Sequence, residues 1–258
     1  MSIDRGGPTA GHPLLSKVPE ATFLFWVVKI VATTLGEVGG NLLSMNLALG
    51  YLQATAVLGT AFALLAAVQI RARKFHAWLY WSTIVASTTA GTTMADFATR
   101  SLGLGYAGGS LILLSLVIAS LATWRFVIGA ISSDDIRGGR AELFYWLTIT
   151  FSQTLGTALG DWFADTAGFG YLGSALIFAA ALLVIFVLNR KRVVDGTILF
   201  WAAFILTRPF GAVVGNFFDK ATLGGLGLDR FAIVATLTVA MAIALWIFPQ
   251  RAAVHKGA

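Results

Sequence analysis

"FWVVKIVATTLGEVGGN" (residues 25–41) is the stretch on which the fold turns. It opens on an aromatic pair, stays apolar along its length and is punctuated by small residues, as a membrane helix would be. Yet Lys29 and Glu37 sit in the middle of it. A charge at mid-bilayer costs about 2.5–3.5 kcal/mol on insertion scales, so both side chains require shelter from hydrocarbon. The same stretch recurs three times further along the chain, and that recurrence says where the shelter lies.

The aromatic-Trp pair appears as Phe25-Trp26, Tyr80-Trp81, Tyr145-Trp146 and Phe200-Trp201. Counted from each Trp, position +10 is Gly36, Gly91, Gly156 and Gly211, and position +14 is Gly40, Ala95, Gly160 and Gly215. Position +15 is an acid or its amide: Asn41, Asp96, Asp161 and Asn216. A glycine-rich turn then leads to Tyr51, Tyr106 and Tyr171 at +25, while the fourth copy runs on through "GGLGL" to Leu228. Trp-to-Trp spacings of 55, 65 and 55 set units one and three, and units two and four, 120 residues apart. The chain reads as two duplicated halves of two units each.

Each unit supplies a polar-studded first helix beginning at the Trp pair and a plainly apolar second helix beginning near the Tyr. The first helices are expected over 22–44, 77–99, 142–164 and 197–218, and the second over 51–70, 106–129, 171–189 and 228–249. Each run is long enough to cross a bilayer, for which about 20 residues suffice. The expected fold is therefore all-α and polytopic, with eight transmembrane helices arranged as four parallel two-helix repeats around an axis along the membrane normal. The divisions are a flexible cytoplasmic tail at 1–17, a first repeat pair at 18–129, a cytoplasmic linker at 130–141, a second repeat pair at 142–250 and a tail at 251–258.

Composition agrees. Of 258 residues, 57% are hydrophobic and only 12% charged, about half the charged share of a soluble domain. The net charge of +6 is no nucleic-acid signal, because the basic residues cluster in short loops. Arg5, Lys17, Arg71, Arg73, Lys74, Arg137, Arg140, Arg190, Lys191, Arg192, Arg251 and Lys256 fall in tails or between units. The turns inside units hold only Arg100, Lys220 and Arg230. By the positive-inside rule, the termini and inter-unit loops are cytoplasmic. The absence of cysteine removes disulfides, thiolate catalysis and thiolate metal ligands. His12, His76 and His255 lie in tails or loops, and the Trp pairs read as interfacial belt residues.

The unusual residues of the first helices keep one register: Lys29 at +3, Arg208 at +7, Glu37 at +11 with Thr92 and Thr157, and the acids and amides at +15. Steps of four stay on one helical face, and the glycines at +10 and +14 border it. Such a Gly-xxx-Gly stripe lets backbones approach closely, so the polar groups point at other first helices and not at lipid. At about 1.5 Å per residue, +11 and +15 lie about 16 and 22 Å from the Trp level. Pro209 removes a helix hydrogen bond in unit four, and Arg208 is expected to reach an acid on a neighbouring helix, as is Lys29. Glu37, Asp96 and Asp161 against Lys29 and Arg208 leave one negative charge, which suits a hard cation or a proton.

At the repeated "YW…T…G…GD" and at "LTRPFGA" the chain resembles a bacterial family of uncharacterised membrane-anchored proteins. That family is built from four copies of a membrane repeat of unknown function. The opening "KVPEATFLFWVVKIVATTLGE" is similar to its start, and the resemblance covers about residues 17–248. It implies a bacterial plasma-membrane location and an Asp at +15 in each repeat, from which Asn41 and Asn216 depart.

The functional expectation is a transporter of a small ion, with export of a divalent cation such as Mn²⁺ as the first reading, proton-coupled or not. Asp96, Asp161 and Glu37 would be metal ligands, with Asn41, Asn216, Thr92 and Thr157 as neutral oxygens and Lys29 and Arg208 as charge partners. The expected partners are the lipid bilayer and that small ion or solute, with no cofactor beyond a bound divalent cation. A proton-driven exporter of a small organic solute, and a scaffold or partner subunit that transports nothing, are the alternatives. No nucleophile–base pair, histidine cluster or cofactor loop speaks for an enzyme.

Overall fold

A computed structural model of the chain describes residues 15–129, 131, 136 and 139–254. Eight helices dominate it: α1 Phe23–Asn41, α2 Gly50–Arg71, α3 Ala77–Asp96, α4 Gly105–Ile128, α5 Gly139–Asp161, α6 Gly170–Lys191, α7 Gly196–Asp219 and α8 Arg230–Ile247. The expected helices are all present within a few residues. Six of them are long and apolar enough to cross a membrane; α3 and α5 fall short of that measure. Both carry runs of Thr, Ser and Gln, and those side chains are buried between helices. The molecule is a helical membrane protein built from internal repeats.

The four odd-numbered helices form a closed inner ring in which α1 meets α3, α3 meets α5, α5 meets α7 and α7 returns to α1. Each even-numbered helix lies outside against the inner helix of the next unit: α2 on α3, α4 on α5, α6 on α7 and α8 on α1. The outer helices keep most of their Leu, Ile, Val and Phe side chains exposed, as a lipid-facing layer requires.

Glycine sets the spacing of the ring. The +10 glycine of each unit receives the +7 residue of the next: Gly36 takes Thr88, Gly91 takes Gln153, Gly156 takes Arg208 and Gly211 takes Thr33. A Cβ at Gly91, Gly156 or Gly211 would also stand within 3.0–3.1 Å of the neighbouring backbone. The +14 positions continue the pattern, with Gly40 against Thr92, Gly160 against Ala212 and Val213, and Gly215 against Glu37.

The aromatic pairs obey the same cyclic order and correct the belt reading. Phe25 packs on Trp81, Tyr80 on Trp146, Tyr145 on Trp201 and Phe200 on Trp26, with ring centroids 5.4, 5.9, 6.1 and 5.7 Å apart. Phe25, Tyr80, Tyr145, Trp81, Trp146 and Trp201 are buried, and the Tyr80 and Tyr145 hydroxyls share a 2.6 Å hydrogen bond. They bury because the rings fill the space between the four inner helices at this end. Here the bundle is sealed.

Two boundaries also differ from expectation. Strand β1, Leu15–Pro19, pairs antiparallel with β2, Ala252–Val254, so the two expected tails hold each other. Lys17 donates to the Ile70 carbonyl at 2.9 Å and pairs with Glu142 at 2.7 Å, which anchors this ribbon to α2 and α5. Helix α5 starts at Gly139, inside the expected linker, while Arg137, His12, His255, Lys256 and the outer parts of both tails lie outside the described residues.

At its other end each of the first three inner helices runs into a π-helical turn, Leu42–Asn46, Phe97–Ser101 and Trp162–Thr166. Gly50, Gly105 and Gly170 then turn the chain into the outer helix at φ of 69°, 65° and 64°, values that glycine adopts without strain. Helix α7 has no such turn. It stays α-helical to Asp219, through Pro209.

The ring predicts opposite outcomes for two glycines. Gly211→Ala should lower the melting temperature of the detergent-solubilised protein, since its Cβ overlaps Thr33. Gly59→Ala on α2, where a Cβ meets nothing within 4 Å, should leave it unchanged or raise it, by up to about 1 kcal/mol of helix propensity. Equal losses would mean that the +10 glycines do not set the helix spacing.

Candidate functional site

The register of four divides the inside of the ring into layers, and polarity rises from the sealed end outward. At +3 the layer is Lys29, Ile84, Ile149 and Phe204, all fully buried. Lys29 meets no acid, which corrects its expected pairing. Its Nζ lies 3.8 Å from the centre of the Phe204 ring and has no hydrogen-bond partner among the described residues. The acids begin two turns further on, beyond the reach of a side chain held among apolar neighbours.

The +7 and +11 layers hold an ion pair bonded to all four inner helices. Arg208, on α7, is 0% exposed and donates through Nη1 and Nη2 to Glu37 Oε2 on α1, both at 3.2 Å. Nη2 also reaches Thr92 Oγ1 on α3 at 2.8 Å, Thr157 Oγ1 on α5 at 2.7 Å and the Thr88 carbonyl at 3.3 Å. Thr92 and Thr157 in turn approach Glu37 Oε2 at 3.2 and 2.9 Å. Gly156 makes this possible, since it leaves room for the aliphatic stem of Arg208. An ion pair out of water is sustained only when its remaining donors and acceptors are also satisfied, and the threonines do most of that work.

The +15 layer is one polar chain around the ring. Asn41 donates to Asn216 Oδ1 at 3.1 Å and to Asp219 Oδ2 at 3.0 Å, and Asn216 donates to Asp161 Oδ1 at 3.0 Å. Arg100 bridges Asp161 and Asp96, at 3.2 and 2.8 Å, and Arg230 closes on Asp219 at 2.6 Å. Two amides among the acids supply donors that four carboxylates would lack. That is the physical sense of Asn41 and Asn216 at positions where Asp was expected.

Beyond this layer the ring opens into a vestibule of about 510 Å³, lined among others by Arg100, Asp161, Asp165, Asp219, Lys220 and Arg230, with Tyr106 and Tyr171 on its walls. Burial works against the Lys220 ammonium, but the negative field of Asp161 and Glu37 outweighs it and pushes its pKa up, so the side chain stays charged. The sequence reading missed Arg100, Asp165 and Lys220 as site residues. All three stand at +19, one step of four beyond +15, and extending the register would have found them.

The expected metal centre is not assembled. The described residues contain no group of three or more acids or histidines placed to hold an ion. Glu37 faces Arg208, while Asp96 and Asp161 share Arg100. A guanidinium already occupies each carboxylate that was to bind the cation, and a fixed positive charge at that distance opposes a second one.

Comparison with known families bears on the repeat. A family model described as Repeat of Unknown Function (DUF347) matches residues 24–75, 79–128, 144–192 and 199–252. The chain belongs to this family. Each match takes in one inner helix and the outer helix that follows it in the chain, so the family's repeat and the sequence unit coincide. No curated protein and no solved structure matches the chain significantly.

The layers predict how the buried charges behave. Glu37→Gln leaves the Arg208 guanidinium buried without its carboxylate and should cost about 3–5 kcal/mol, read as a large fall in melting temperature. Lys29→Met keeps the volume and removes an unpaired buried donor, and should be neutral or stabilising. Comparable losses in the two variants would mean that Lys29 has a partner of its own.

Proposed function

We propose that this protein is an eight-span membrane carrier for a small polar solute, which it moves along the axis between its four inner helices. The four units run parallel about the membrane normal. The aromatic seal and the β-ribbon face the cytoplasm, in a bacterial plasma membrane, because the basic residues concentrate in the tails and inter-unit loops. The single observation that carries this reading is the polar gradient inside the ring: an apolar sealed end, a buried ion pair, an amide–carboxylate chain and an open charged vestibule, in that order.

The same gradient favours an organic solute over a bare divalent cation. The vestibule offers both signs of charge and two tyrosine walls, in a volume within the range of small-molecule sites, about 300–1,000 Å³. The Arg208–Glu37 pair closes the path below it, and a carrier would open that pair in alternation with the vestibule. A scaffold is the competing reading, favoured by the number of bonds that Arg208 makes.

The cysteine-free chain allows a clean test. Ala212 sits at +11 beside the ion pair, is buried, and packs on Gly160. In a carrier, Ala212→Cys should react with a membrane-impermeant maleimide from both faces, in right-side-out and inverted vesicles. Labelling from one face or from neither would reject the carrier and leave the scaffold.

A further inference from the structure

The vestibule distinguishes between charges already committed to the protein and charges left for something else. Of its three cations, Arg100 is held by Asp96 and Asp161, and Arg230 by Asp219 and by the side-chain oxygen of Asn46. Lys220 is different. Among the described residues no carboxylate lies within 4.0 Å of its ammonium and no acceptor bonds to it. Its Nζ lies 5.9 Å from the centre of the Tyr171 ring.

The acids divide in the same manner. Asp161 and Asp219 are held by arginines, whereas Asp165 is exposed and its carboxylate takes part in no ion pair or side-chain hydrogen bond among the described residues. Lys220 and Asp165 occupy the same +19 layer on different units, and both line the vestibule. One uncommitted cation and one uncommitted anion therefore face a single solvent-connected space, whose charged lining otherwise balances Arg100 and Arg230 against Asp161 and Asp219. A net anion or a net cation would gain at one of these groups and lose at the other. A molecule that carries both charges gains at both.

The geometry points to a small zwitterion of the free amino-acid class as the vestibule's ligand, its carboxylate on Lys220 and its ammonium on Asp165. Tyr106 and Tyr171 would cover its uncharged part. The inference deepens the carrier reading and rests on it for the ligand's fate, but not for its binding. Neither residue takes part in the ion pair or in the amide–carboxylate chain, so both can be altered without opening the ring.

The test uses the purified full-length protein in detergent, with its eight tryptophans reporting thermal unfolding. The probes are a panel of free α-amino acids, with acetate and ethylamine as single-charge controls. Ligand that binds only the folded state raises the melting temperature in a saturable way. At least one amino acid should do so, with neither control matching it. Lys220→Gln and Asp165→Asn should each weaken that ligand about tenfold or more, as loss of a charge-assisted bond does, while Lys220→Arg retains most of the binding. Melting of each variant without ligand separates a binding defect from a folding defect. A flat response to the whole panel, an acetate shift equal to the best amino acid, or a shift that persists in Lys220→Gln would each overturn the assignment. Binding without two-sided labelling at Ala212→Cys would keep the zwitterion site and discard the carrier. Two-sided labelling without binding would discard this ligand class alone.

Discussion

Everything inside this bundle depends on how closely its four inner helices approach. The approach is set at +10, where a glycine in each unit leaves a hollow that the +7 side chain of the next unit fills. Four such fits close a ring, and closure is a stronger condition than any single fit, because each helix is clamped from both sides. The same handed order recurs in the aromatic layer, where the residue before each Trp packs on the Trp of the following unit. One geometric rule, applied four times at two levels, accounts for most of the core.

That rule also explains how the chain holds an arginine where hydrocarbon would forbid one. The +7 positions carry Thr33, Thr88, Gln153 and Arg208, so three units place a modest polar side chain in the hollow and the fourth places the aliphatic stem of an arginine. Because the hollow faces the ring's interior, Arg208 meets Glu37, Thr92 and Thr157 from the three other helices and never meets lipid. The repeat supplies the frame, and divergence within it supplies the chemistry. Symmetry broken at a few interior positions turns a packing device into a layered polar path, while the outer helices stay plainly apolar.

The layers also account for what the charge count misjudged. A tally of embedded charges treated Glu37, Asp96 and Asp161 as one acidic cluster with a negative surplus. In the folded chain Glu37 lies one layer nearer the seal than Asp96 and Asp161, and the cations that answer them come from different places. Arg208, which answers Glu37, is on an inner helix, but Arg100, which answers both aspartates, comes from a π-helical turn. Lys29, counted as a balancing charge, lies among Ile84, Ile149 and Phe204 and balances nothing. A formal sum over a sequence assigns no charge to a layer, and at these separations in a poorly screened interior the layer decides which charges interact.

The sequence alone determined the four units, the eight helices, the interior face with its register of four, and the small residues that let the helices close. These are periodic properties, and a period repeated four times is legible without coordinates. Tertiary structure alone decided who meets whom. It put the aromatic pairs into a core seal, joined the two tails as a ribbon, brought Arg100 and Lys220 from apparent loops into the vestibule and left Lys29 without an acid. The physical reason is that each of these outcomes depends on the cyclic offset between one helix and the next, a distance across the ring that no spacing along a single chain records.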